Sequence, residues 1–145
     1  MTDDLWVSED HPTSGRTAVV EDAGQSVWLY LTEPGGAPIA ADCWLLNRVP
    51  APEAVDEAAA AQGPPPAVAA VVGEGAHRSA PIDPATVRFR WSADGESVAA
   101  LIGDEPVGCI VAGRERGMSR HLRLASPWGE PLDVAVYDAT FGDDG

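Results

Sequence analysis

Residues 87–112, VRFRWSADGESVAALIGDEPVGCIVA, decide the fold, because they read as three antiparallel strands joined by two tight reversals. Val87, Phe89 and Trp91 alternate with Arg88 and Arg90, the period-two pattern of a strand with one face buried and the Arg face in water. Ser92-Ala93-Asp94-Gly95 supplies a glycine that tolerates positive φ and an aspartate that bonds its own backbone, so the chain turns there. Val98, Ala100 and Ile102 continue one face, Gly103-Asp104-Glu105-Pro106 turns the chain again, and Val107, Cys109 and Val111 form the apolar set of the third strand.

A second meander precedes it. Residues 16–21 (RTAVVE), 26–32 (SVWLYLT) and 39–48 (IAADCWLLNR) are strand candidates separated by Asp22-Ala23-Gly24 and by the loop at 33–38, EPGGAP. Val27, Leu29 and Leu31 share one face with Ile39, Ala41, Cys43 and Leu45, which puts Trp28, Tyr30 and Trp44 on the other. Gly24-Gln25-Ser26-Val27 echoes Gly95-Glu96-Ser97-Val98, a similarity that hairpin turns also reach for steric reasons. The expected fold is mainly β, with α+β as the variant: two three-stranded antiparallel meanders forming a twisted sheet, a sandwich or a partly open barrel, with one or two short helices.

The octet at 91–98, WSADGESV, resembles the strand-turn-strand signature of β-propeller blades. That resemblance implies one hairpin here, because a propeller needs at least four blades of about 40 residues each, more than this chain holds.

At 145 residues, a single domain covering 1–145 can bury a core without staples. Residues 1–14 read as an irregular acidic arm in which Trp6 anchors on the body. Residues 49–84 form an Ala/Pro-rich crossover containing a short helix at 52–62, PEAVDEAAAAQ, which begins with proline and stops at Gly63 and three prolines. Residues 132–141 fit a strand or a short helix; the helix is favoured because Asp133 suits its first turn, and residues 142–145 are expected to fray.

The net charge is −14, with no lysine and all nine cations supplied by arginine, a composition typical of GC-rich, bacterial-type coding with an acidic, solubilising surface. Such a charge disfavours nucleic acid and anionic membranes as partners. The acidic N-terminus has no secretory pattern, no apolar run approaches a membrane span, and Cys43 and Cys109 lie inside apolar strands, so a cytoplasmic protein is expected.

Two stretches are candidates for recognition. Arg114, Arg116, Arg120, His121 and Arg123, followed by Trp128, supply guanidinium forks for an anionic small molecule if they converge; otherwise they pair with the chain's own carboxylates. Trp28, Tyr30 and Trp44 form an aromatic face that the crossover, a second subunit, a protein partner or an apolar ligand must cover. His11, His77 and His121 are scattered, and HExxH, CxxC, a nucleophile elbow and a phosphate loop are all missing, so no catalytic residue, metal site or cofactor is assigned. The expected role is therefore non-enzymatic: a homodimer or protein-interaction module using the aromatic face. The alternatives are a small enzyme or ligand-binding protein built on the arginines, and an acidic inhibitor of a basic partner.

Overall fold

Alternation and turn chemistry produce two antiparallel meanders in the computed structural model, which describes residues 6–22, 24–54, 66–73, 75–78, 80 and 82–142. The first sheet runs β1 (Trp6–Asp10), β2 (Thr17–Asp22), β3 (Ser26–Thr32) and β4 (Ile39–Asn47) in sequence order. The second runs β5 (Val87–Trp91), β6 (Val98–Ile102), β7 (Glu105–Ile110), then the two-residue strands β8 (Met118–Ser119) and β9 (Glu130–Pro131), of which β9 pairs parallel to β8. Neither sheet closes into a barrel.

The inward faces form one shared core. Ala18, Val20, Val27, Leu29, Leu31, Cys43 and Leu45 of the first sheet pack with Val87, Val98, Ala100, Ile102, Val107 and Ile110 of the second. The sheets approach most closely where β4 meets β7 and the start of β8, and two glycines make room there. A Cβ on Gly108 would stand 2.5 Å from Leu45 Cδ2, and one on Gly117 would overlap Cys43, 2.7 Å from its Sγ. Cys43 and Cys109 are free, buried thiols, and burial pushes both above the ordinary thiol range, Cys109 to about 12.

Each outer face has its own cover. Helix α1 (Val134–Phe141) lies over the second sheet, packing Tyr137, Val136 and Phe141 against Ala99, Leu101, Cys109 and Met118. Asp133 is its N-cap, accepting from the amides of Ala135 and Val136 at 3.0 and 3.3 Å, which resolves the strand-or-helix ambiguity at 132–141. Arg88 stays exposed, but Arg90 does not simply face water. Its guanidinium donates to the Phe141 and Gly142 carbonyls at 2.8 and 2.9 Å and lies 5.7 Å from the Tyr137 ring, a cation at a helix C-terminus.

Residues 66–73 and 75–78 cross the first sheet as irregular chain with a turn at 69–71 rather than as a strand, with two isolated bridges, Val72 to Leu122 and His77 to Asn47. The helix expected at 52–62 falls mostly on 55–65, outside the described residues, as do positions 143–145 of the tail. Among the described residues no helix is long and apolar enough to cross a membrane.

The irregular arm expected at 1–14 is corrected for its middle: residues 6–10 form β1, paired with β2 from Trp6↔Glu21 to Asp10↔Thr17. Glu and Asp are poor strand formers, and they obscure the short alternation of Trp6 and Ser8 that this strand carries. Trp91 Nε1 donates to Glu9 at 2.6 Å, Thr17 Oγ1 donates to Asp10 at 2.7 Å, and His11 Nδ1 accepts the amides of Thr13 and Ser14 in the turn. Trp6 is no anchor on the body, since it is 62% exposed.

Candidate functional site

Strand register builds the outer face of the first sheet as rows of side chains. One row crosses all four strands as Trp6, Glu21, Trp28 and Trp44. The next is Ser8, Val19, Tyr30 and Asp42, and beyond it the Thr32↔Ile39 pair stands near Thr17. Neighbours within a row are close enough for their side chains to touch.

One corner of this face is sealed by the chain itself. Trp28 and Trp44, 8% and 0% exposed, pack with Ala67, Ala76, Leu122 and Trp128. Asn47 ties the cover down from a fully buried position. Its Oδ1 accepts from Trp44 Nε1 at 3.0 Å and Ala67 N at 2.8 Å, and its Nδ2 donates to the Ala67 carbonyl at 2.9 Å. Its backbone N–H donates to Ala76 O at 2.6 Å, and its carbonyl accepts from Arg78 N at 2.9 Å. Residues 76–78, with the Trp128 carbonyl accepting from Trp44 N at 3.4 Å, therefore occupy the free edge of β4. Trp28 Nε1 donates to Ser26 Oγ at 2.7 Å, so both indoles are satisfied inside the fold.

The expectation that Trp28, Tyr30 and Trp44 together form an intermolecular interface is thus corrected for the two tryptophans. Only Tyr30 of the three remains half exposed, its ring stacked on Trp28 with centroids 6.4 Å apart and planes at 9°.

The rest of the face is open. A groove of ≈ 360 Å³ runs across it, lined by Trp6 and Ser8 of β1, Thr17, Val19 and Glu21 of β2, Tyr30 and Thr32 of β3, and Gly36 and Ile39 at the far rim. Ile39 is 58% exposed. The groove is apolar in area but anionic in field. Among the described residues no arginine lies within 4.0 Å of the Glu21 or Asp42 carboxylates, although Arg16, Arg48, Arg88, Arg114 and Arg120 each reach an acid elsewhere. Tyr30 registers that field: burial first, then Glu21 and Asp42, push its hydroxyl up to about 12. Partial burial also holds the Asp42 carboxyl above its usual range. At the near side, β1 pairs with β2 alone among the described strands, leaving an open sheet edge.

The arginine stretch does not converge. Arg114 pairs with Glu130 at 3.1 Å, while Arg120 pairs with Glu105 at 3.2 Å near the opposite end of β7. Arg116 lines a depression of ≈ 150 Å³ beside Trp128, which is itself buried, and Arg123 bonds through its backbone to Val71. His121 lies against the turn at Gly75. The physical reason is the irregular path of 111–124, which rounds the end of β7, runs back as β8 and turns again, so successive side chains fan outward. An anion site joining all six residues is corrected accordingly. No three His, Cys, Asp or Glu side chains among the described residues are grouped to hold a metal ion.

Sequence reasoning missed the groove because it left Trp6 outside the sheet. The signal was present: alternation over 6–10 places Trp6 and Ser8 on one face, and pairing with β2 makes it the face of Trp28 and Tyr30. Comparison with protein-family models, curated proteins and solved structures gives no match to this chain.

Proposed function

We propose that the chain is a non-enzymatic protein-interaction module whose recognition surface is the open part of the first sheet's outer face. One observation carries this reading: Trp6 and Ile39, two of the most exposed large apolar side chains, flank a groove floored by Val19 and Tyr30. A tryptophan held in water beside a preformed apolar groove is the composition of an interface centre, where aromatic residues dominate binding energy. The rigid floor beneath favours recognition as well, since the strands carrying these residues are anchored from below by the shared core. The arginines give the small-molecule reading less support, because salt bridges to Glu130 and Glu105 already occupy two of them.

Site-specific photo-crosslinking in living cells tests this. A photoreactive residue at position 6 or 39 is expected to give discrete covalent adducts, whether with another protein or with a second copy of this chain. The same residue at position 139, on the exposed side of α1, serves as the control. Adducts at 6 and 39 no more frequent than at 139 would overturn the proposal.

A further inference from the structure

Glu21 stands between two indoles. It is the cross-strand partner of Trp6 on one side and of Trp28 on the other, and Tyr30 lies stacked against Trp28 in the adjoining row. The carboxylate lines the groove together with Trp6 and Tyr30, and no arginine among the described residues neutralises it. Asp42, the cross-strand partner of Tyr30, lies outside the groove lining, in the depression that Arg116 also lines, so Glu21 is the carboxylate the groove presents. An anion bordered by aromatic faces is the arrangement that holds an organic cation, because ring quadrupole and carboxylate attract the same charge.

Resting on the interaction-module reading above, we propose that this groove receives an arginine or lysine side chain from a short extended segment of a partner protein. Glu21 pairs with the cation, Trp6 and Tyr30 flank it, and Val19 and Ile39 take the neighbouring apolar residues. A second copy of this chain is the poorer occupant. A two-fold contact through this groove would set Glu21 against an acidic counterpart in a molecule already at −14. The open β1 edge alongside the groove allows the partner's backbone to lie extended, placing alternate side chains over the sheet face.

The test uses five-residue capped peptides, Ser-Val-Arg-Val-Ser and its Gln-centred counterpart, titrated into the full chain by calorimetry at low salt. A single cation avoids the general attraction of a polycation to an acidic protein. The arginine peptide is expected to bind about tenfold more tightly than the glutamine peptide, the strength of one hydrogen bond to a charged group. That advantage is expected to weaken as salt rises. Glu21→Gln should erase the preference and Trp6→Ala reduce it, whereas Asp138→Asn, an equal charge change on exposed α1, should leave it intact. Circular dichroism melts of the three variants check that each is folded.

Equal affinity for both peptides, in wild type and Glu21→Gln alike, would overturn the cation site while leaving an apolar recognition surface. Loss of preference in Asp138→Asn as well would also overturn it, as a diffuse charge effect. No binding of either peptide at millimolar concentration would overturn the basic-segment inference, and crosslinking at 6 and 39 then decides the parent reading separately.

Discussion

Replacing Asn47 by leucine separates the two halves of the aromatic face most cleanly. Leucine shares asparagine's branch at Cγ, so the change removes the hydrogen bonds without opening a cavity, and its greater bulk adds to the cost at a fully buried site. Three buried groups lose their partners: Trp44 Nε1, Ala67 N and the Ala67 carbonyl, now held at 3.0, 2.8 and 2.9 Å. Each orphaned group costs roughly 1–3 kcal/mol, and partial relaxation of the crossover puts the total near ~3–5 kcal/mol. Against a typical domain stability of ~5–15 kcal/mol, that is a fifth or more, equivalent to a fall of about 10 °C or more in Tm. Urea denaturation followed by circular dichroism measures the global loss. Hydrogen exchange should show the amide of Ala67 opening faster, because its acceptor is the lost side-chain oxygen, whereas Arg78 donates to a main-chain carbonyl that leucine retains. Ser26→Ala, which removes the acceptor of Trp28 Nε1, is expected to cost only ~1–2 kcal/mol. An Asn47→Leu protein within 1 kcal/mol of wild type, with unchanged exchange at Ala67, would refute the claim that this amide seals the face.

Other outcomes follow from the same packing. Gly117→Ala drives a methyl into Cys43 and to 3.1 Å from the Asp42 carbonyl, so it should destabilise by about 1–3 kcal/mol in a chemical melt. Asp133→Ala frees the Ala135 and Val136 amides and should cost about 0.5–2 kcal/mol by the same measurement. Tyr30 keeps its proton to about 12 when folded against an ordinary 10.0, so this contribution to stability is full below pH 10 and is lost as pH rises toward 12. Tyr30→Phe should therefore flatten part of the alkaline fall in stability, the remainder coming from Cys43 and Cys109, whose raised values act with the same sign.

The β2–β3–β4 and β5–β6–β7 meanders were legible because each strand has one apolar set and each reversal carries Gly, Asp or Pro, a pattern that neighbours in sequence specify by themselves. The α1 helix was legible through Asp133, although that residue acts as the cap rather than within the first turn. Strand β1 was hidden because its acids disfavour a strand on their own and find partners only once the fold forms, Asp10 at Thr17 on the neighbouring strand and Glu9 at Trp91, far along the chain. The arginines misled for the opposite reason: closeness in sequence does not make side chains converge when the segment between β7 and β8 is irregular. Asn47, at the end of the apolar run LLN, signals a buried amide, but its partner at Ala67 lies 20 residues away within the crossover. The groove needed register, since Trp6 joins Glu21 and Trp28 only after three strands are aligned.

Hydroxyl-radical footprinting with mass spectrometry reads the divided aromatic face directly, first on the free protein and then with the arginine peptide added. Rapid oxidation is expected of Trp6, at 62% exposure, and slow oxidation of Trp28, Trp44 and Trp128, at 8%, 0% and 9%. Adding the peptide should protect Trp6 and Tyr30 and leave Trp91 unchanged. Oxidation of Trp28 and Trp44 as fast as Trp6, or peptide protection that spares Trp6, would contradict this expectation.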